Sequence, residues 1–90
     1  MSTVIINGSL IKSEKDFHIQ MKLLLSLPEY YGENLDALWD CLTAWIDLPI
    51  KITWVDFDES KKYLGEYTDQ IIKLFDNAKK VIEEFDIVYS

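Results

Sequence analysis

The stretch IKITWV, residues 50–55, lies near the middle of the chain between segments of helical pattern. Its apolar side chains alternate with Lys51 and Thr53, and this period of two predicts a β-strand. Pro49, which cannot donate a backbone hydrogen bond, comes directly before it. Any strands that pair with this one must come from the two flanks.

The amino-terminal flank predicts a strand followed by two helices. Residues 3–6, TVII, form a β-branched run that stops at an Asn-Gly turn signal. Ser13 can cap a first helix that ends before Pro28. The helical spacing of leucines predicts a second helix from about residue 34 to about residue 45.

The carboxyl-terminal flank predicts two more helices and a last strand. Asp56 or Asp58 can cap a short helix that Gly65 ends, and Thr68 can cap a longer helix. Residues 85–89 form the final strand. The order is β-α-α-β-α-α-β, and strands joined by helical crossovers are normally parallel. The sequence therefore predicts an α/β fold with a three-stranded parallel sheet and helices packed on it.

Length and composition predict one globular domain over residues 1–90. Hydrophobic residues make up 49% of the chain and charged residues 28%. The single Cys41 excludes an internal disulfide, which fits a reducing compartment. The amino terminus lacks the features of a signal peptide, and no apolar run is long enough to cross a membrane. We expect a cytoplasmic protein without a membrane partner.

The charge of the chain argues against nucleic acid as a direct partner. Sixteen acids face nine bases, for a net charge of −7, and all nine bases are lysine. An anionic surface repels phosphate backbones and speeds encounter with a basic protein or a cation. Many soluble proteins are acidic without any such partner, so charge alone does not establish a function.

The predicted second helix has an apolar face and an acidic face. At about 100° per residue, one side collects the residues of the expected core face, Leu35, Leu38, Leu42 and Trp45. Another side collects Asp36, Asp40 and Thr43, and Trp39 falls between the two. A solvated amphipathic helix accounts for these residues taken singly.

The surroundings of the two acids point to a contact surface. Tyr30, Tyr31 and Trp39 lie close to them in sequence, and no cationic residue occurs between Lys22 and Lys51. A helix evolved only for solubility would more usually interleave lysines, since opposite charges at helical spacing stabilise it. Aromatic rings beside uncompensated carboxylates are typical of a surface that binds a cationic partner.

Other chemistry has weaker support. Asp36 and Asp40 could form an acid/base couple or two ligands of a divalent ion, but the further oxygen donors of a calcium loop are missing. His18 has no nucleophile motif around it, so we expect it to be packed or solvent-facing. Cys41 is expected to pack as a small apolar residue whose pKa nearby acids raise.

The string LPEYYGENLDALWDCLTAW, residues 27–45, closely resembles the central segment of the barstar family, intracellular inhibitors of the secreted bacterial ribonuclease barnase. A looser likeness covers nearly the whole chain, including VIING near the start and DFH in the first helix. The resemblance implies the same α/β fold. It also implies an acidic helix that plugs the active site of the ribonuclease.

The resemblance assigns roles to individual residues. Asp40 matches the aspartate that occupies the phosphate site, and Asp36 matches an acid that pairs with a partner arginine. Tyr30 matches a tyrosine that covers the partner's catalytic histidine. Five further positions match residues that line the contact or hold the helix in place: Asn34, Leu35, Trp39, Thr43 and Trp45.

Two departures bear on the choice of partner. Asn77 stands where the family has a glutamate that reaches a partner lysine, and Ala44 replaces a glycine beside the contact. Neither departure changes Asp36 or Asp40, so the resemblance still implies the same mode of binding.

The sequence therefore predicts a cytoplasmic inhibitor, monomeric when free, that forms a 1:1 complex with a basic, secreted, barnase-like ribonuclease. It is expected to be no enzyme and to use no cofactor or metal. One rival keeps the fold but makes the protein an immunity or regulatory protein for a different basic toxin or nuclease. Another rival is a small acidic enzyme or ion-binding domain that uses Asp36 and Asp40.

Overall fold

The computed structural model describes residues 2–90 and has the predicted order of strands and helices. Three strands alternate with two pairs of helices, and a short 3-10 turn, Gly8–Leu10, follows the first strand. The bounds are β1 Ser2–Asn7, α1 Glu14–Leu24, α2 Leu35–Ala44, β2 Ile50–Val55, α3 Phe57–Leu64, α4 Glu66–Val81 and β3 Phe85–Tyr89.

The three strands form one parallel sheet with β2 at its centre. The strand order is β1-β2-β3, and both neighbours run parallel to β2. Val4, Ile52 and Ile87 share one row across the sheet, and Ile6, Trp54 and Tyr89 share the next row but one. The predicted α/β fold class, the order β-α-α-β-α-α-β along the chain and the parallel pairing are confirmed.

One face of the sheet packs on the hydrophobic core. Ile52 and Trp54 of β2 are fully buried, whereas Lys51 and Thr53, which point to the opposite face, are only half-buried. The ring of Trp54 stacks on Phe17 of α1, with 5.4 Å between ring centroids. The alternation read from the sequence thus follows the covered and open faces of the sheet.

A buried polar chain joins β2, α3 and the 3-10 turn. The indole Nε1–H of Trp54 donates to Ser60 Oγ at 3.0 Å, and the Ser60 hydroxyl donates to the carbonyl of Gly8 at 2.9 Å. A Cβ at Gly8 would overlap the carbonyl oxygens of Val55 and Asp56, so the close approach requires glycine. Ser60 therefore satisfies two buried groups at the end of the sheet.

Helix capping follows the prediction fully at Ser13 and only in part at Asp56. The side chain of Ser13 accepts from the backbone N–H of Asp16 and caps α1. Asp56 occupies the position before α3, but its backbone is left-handed, with φ 51°, and its side chain makes no capping bond. Asp56 is thus the N-cap residue of α3, as one of the two predicted alternatives, but it caps by position only, and Asp58 lies inside the helix.

The prediction that Thr68 caps the last helix is wrong. Helix α4 begins at Glu66, because Gly65, with φ 54°, turns the chain from α3 into α4 within one residue. Thr68 lies inside α4 and is fully buried, and its Oγ1 has no hydrogen-bond partner within residues 2–90. Local residue preference indicated a cap, but the tight interhelical turn places the residue in the core.

Replacing Ser60 by alanine is expected to destabilise the protein by about 1–3 kcal/mol, because Trp54 Nε1–H and the Gly8 carbonyl would both lose a buried partner. Urea unfolding followed by tryptophan fluorescence measures the change. The matched control is Ser2→Ala at an exposed position, with an expected effect within about 0.5 kcal/mol. Equal midpoints for the two variants would contradict the role given to Ser60.

Candidate interaction surface

Helix α2 is held by an apolar face and a side-chain cap. Leu38, Leu42 and Cys41 are buried against the core. The Oδ1 of Asn34 accepts from the backbone N–H of Ala37 at 2.8 Å, and this cap confirms the predicted start of the helix. The helix thus has a fixed orientation from which its outer side chains project.

The core face predicted for α2 is correct at Leu38 and Leu42 and wrong at Trp45. Trp45 is 49% exposed, since the helix ends at Ala44 and the Trp45 backbone is already its C-cap. Its Nε1–H donates to the carbonyl of Ser26 at 3.0 Å, which ties the end of α2 to the loop before it. The predicted packing of Cys41 is confirmed, and burial, together with the charge of Asp40, raises the pKa of its thiol.

The acidic face of α2 carries two carboxylates without partners. Asp36 and Asp40 are exposed, and neither makes an ion pair or a side-chain hydrogen bond with any residue from 2 to 90. The acids that do form ion pairs in that range are Glu29, Glu59 and Asp86. Both charges therefore remain available to a partner.

The remaining residues predicted on α2 also lie at the surface. Thr43 and Ala44 are exposed in the last turn, and the Thr43 hydroxyl donates to the carbonyl of Trp39 at 2.9 Å. Trp39 is half-buried against the core. The Thr43 hydroxyl is therefore satisfied within α2 itself.

The loop between α1 and α2 presents one tyrosine and buries the next. The side chain of Tyr30 is 81% exposed, whereas Tyr31 is buried. The hydroxyl of Tyr31 lies 2.5 Å from Nδ1 of His18, and the hydroxyl of Tyr67 lies 2.6 Å from Nε2 of the same ring. This contact links α1, the loop and α4, and so holds the backbone that exposes Tyr30.

His18 is a packed histidine, one of the two environments expected for it. Only 1% of its side chain is exposed, and burial lowers its pKa, with partial opposition from the charge of Glu33. A neutral imidazole has one donor and one acceptor nitrogen, so one tyrosine hydroxyl donates to the ring and the other accepts from it. Tyr67, half the chain away, was missed by the sequence analysis.

Helix α4 brings further residues to the acidic helix. Leu35, Asp36 and Trp39 of α2 line a groove of about 360 Å³, whose opposite wall is formed by Gln70, Lys73, Leu74 and Asn77 of α4. We call this the α2/α4 groove. Asn77 therefore lines the same groove as Asp36 and Trp39, although more than thirty residues separate them in the chain.

The α2/α4 groove gathers only some of the predicted residues. Tyr30, Asp40, Thr43, Ala44 and Trp45 lie outside it, on the rest of α2 or in the loops that flank it. A neighbouring groove of about 350 Å³ includes Asn34 and shares Leu35, Asp36 and Gln70 with the first. Gln70, Lys73 and Leu74 were not predicted from the sequence, although their spacing with Asn77 is that of one side of a helix.

Neither a metal-binding cluster nor a membrane-spanning helix is found among residues 2–90. No cluster of three or more histidine, cysteine, aspartate or glutamate side chains there is arranged to hold a metal ion. No helix of that range is long and apolar enough to cross a membrane.

Comparison with known proteins places the chain in one family and beside a relative of the same kind. Residues 1–89 match the family model described as Barstar (barnase inhibitor). The chain is also 39% identical over 89 residues to a protein of Bacillus subtilis (strain 168) named "Putative ribonuclease inhibitor YrdF", and the alignment covers 98% of each chain.

Acid is expected to weaken the fold through His18. Its folded-state pKa lies below the ordinary value of 6.5, so the stabilisation is complete above pH 6.5 and is lost as the pH falls through the lowered folded pKa. The free energy of unfolding of the wild type should therefore fall between about pH 6.5 and pH 5, where few carboxylates titrate. Urea unfolding at a series of pH values measures it.

The matched control for this prediction is His18→Gln, which keeps hydrogen-bonding atoms and removes the titration. Its free energy of unfolding should change little over the same pH interval. Parallel curves for the wild type and the variant would contradict the assignment of His18.

Proposed function

The chain belongs to the Barstar (barnase inhibitor) family, and we propose that it inhibits a basic, secreted, barnase-like ribonuclease by covering its active site. The contact is made by α2 and the loop before it. The observation that carries the proposal is the pair of exposed carboxylates, Asp36 and Asp40, on a helix that offers them no counter-ion.

In this proposal Asp40 takes the place of an RNA phosphate. A ribonuclease must hold an anion among basic side chains, so a carboxylate placed there gains charge-assisted hydrogen bonds and also excludes the substrate. The cap at Asn34 and the buried Leu38 and Leu42 fix α2 before binding. Preorganisation of this kind lowers the entropic cost of association.

The neighbouring side chains complete the proposed contact. Asp36, one helical turn before Asp40, pairs with an arginine of the ribonuclease. The exposed Tyr30 covers a histidine of the partner, and Trp39 supplies apolar area. Leu35, Thr43, Ala44 and Trp45 extend the surface at the two ends of α2, while Asn34 acts through the cap. The remaining negative charge of the protein steers the basic partner towards α2.

We propose no chemical step for the protein itself. It acts as a stoichiometric inhibitor in a 1:1 complex, needs neither cofactor nor metal, and is monomeric when free. Its place is the cytoplasm of the bacterium that produces the ribonuclease, where it protects the cell's own RNA before secretion.

A second candidate function is immunity against a different basic toxin or nuclease domain. Asn77 and Ala44 favour it, because Ala44 ends α2, Asn77 lines the adjoining α2/α4 groove, and both differ from the residues that the resemblance implies there. Asn77 offers no charge to a partner lysine, and the exposed Ala44 adds a methyl group where the partner would approach. Binding measurements against a panel of basic nucleases separate the two functions.

Alanine substitutions should give a graded loss of inhibition. Asp40→Ala is expected to cost more than about 2 kcal/mol of binding free energy, a size carried over from known interface hot spots, barstar's own among them. Asp36→Ala should cost less, about 1 kcal/mol, since its pairing is nearer the edge of the contact. Lys80→Ala, on the exposed side of α4 outside the groove, should change binding by less than about 0.5 kcal/mol.

Inhibition titrations against barnase measure the three variants beside the wild type, and circular dichroism checks that each is folded. A flat profile, with Asp40→Ala no weaker than Lys80→Ala, would reject the proposed contact.

A further inference from the structure

The α2/α4 groove carries a feature that the acidic helix alone does not explain, a lysine on the same surface. Lys73 lies on the wall of the groove that faces Asp36, and both side chains are exposed. They do not approach within ion-pair distance of each other. Two opposite charges thus stand on the two walls of one groove without neutralising each other.

Lys73 is also unpaired with the acids of its own helix. Asp69 and Asp76 lie one turn away on either side along α4, but neither forms an ion pair with it. Among the residues that line the groove from α4, Lys73 has the only charge, since Gln70, Leu74 and Asn77 are neutral. The lining of the groove therefore carries one positive charge, from Lys73 on α4, and one negative charge, from Asp36 on α2.

The floor between the two charges is apolar. Leu35 and Trp39 of α2 and Leu74 of α4 are half-buried and line the groove together. A groove of about 360 Å³ can take one or two side chains of a partner. A basic side chain of the partner would be attracted to Asp36 on the α2 wall. A basic side chain near the α4 wall would instead be repelled by Lys73 at close range.

We propose that the α2/α4 groove selects the partner by charge, and that Lys73 is the residue that makes the selection. The groove receives a segment of the ribonuclease that presents a basic side chain to Asp36 and an acidic side chain to Lys73. Ribonucleases whose cleft is basic on both sides are disfavoured. This inference rests on the proposed function, because it places the groove at the edge of the inhibitory contact.

The selection depends on repulsion of wrong partners as much as on attraction of the right partner. Like charges brought together at an interface penalise wrong partners, while a single exposed pair adds little to the affinity for the right one. Asn77 leaves this selection to Lys73 and Asp36, since its neutral amide can accept from a base or donate to an acid. The overall charge of −7 still attracts basic proteins in general, and Lys73 discriminates among them at short range.

The test uses barnase, a basic ribonuclease, as the probe. Association and dissociation rates are measured at low salt for the wild type, Lys73→Glu and Lys80→Glu. The last is the matched control, because it makes the same change of charge on the same helix outside the groove. Lys73→Glu should tighten binding about two- to fivefold more than Lys80→Glu does.

A second arm locates the side chain that faces Lys73. Each lysine and arginine around the active-site cleft of barnase is replaced in turn by glutamate, and each variant is measured against the wild-type chain and Lys73→Glu. One of these barnase variants should bind the wild-type chain better than it binds Lys73→Glu. A coupling confined to one position supports a direct contact, whereas a uniform shift at all positions would overturn it.

Asp40→Ala, measured in parallel, separates failure of the groove from failure of the proposed function. If the wild type binds barnase and Asp40→Ala does not, but Lys73→Glu equals Lys80→Glu or binds more weakly than the wild type, the groove proposal is overturned and the function stands. If the wild type fails to bind and Lys73→Glu binds in a way that depends on Asp40, the selection is supported. If no form of the chain binds, both proposals are overturned.

Discussion

The parallel pairing of β2 with both β1 and β3 is the constraint on which the rest of the molecule depends. Parallel neighbours cannot be joined by tight hairpins, so each connection must carry the chain back along the sheet, and here a pair of helices does so each time. The second helices of the two pairs, α2 and α4, lie side by side. The α2/α4 groove, which Asp36, Lys73 and Asn77 line, lies along the boundary between these two helices.

The acidic surface is stable because its support is apolar and local. Helix α2 is held by buried Leu38 and Leu42 and by the cap at Asn34, so it does not need ion pairs along its outer side. Carboxylates left unpaired in this way add little to the stability of the free protein and repel one another weakly. In the proposed function, the weak repulsion between the two carboxylates is the cost of leaving Asp36 and Asp40 free to bind a cationic pocket. Lys73 then disfavours pockets that are basic on both sides.

Local signals in the sequence predicted the parts of the fold that depend on neighbouring residues. The alternation in residues 50–55 and the cap at Ser13 depend on residues close together in the chain, and both are confirmed. The start of α2 near residue 34 is confirmed as well, whereas the cap formed by the Asn34 side chain was not predicted. Thr68 and Trp45 were misplaced because the turn at Gly65 and the end of α2 at Ala44 depend on how the helices pack. Lys73 and the contact of His18 with Tyr67 could not be predicted, since they join segments far apart in the chain.

The identities of the proposed contact residues came from the resemblance of residues 27–45 to the barstar family, whereas their grouping in space comes from the structure. The most direct test of the account is a titration of barnase activity with the purified wild-type protein. The account predicts a linear fall of activity that reaches zero at a molar ratio of about one. Full activity at a large excess of the protein would contradict the claim that α2 closes the active site of a barnase-like ribonuclease.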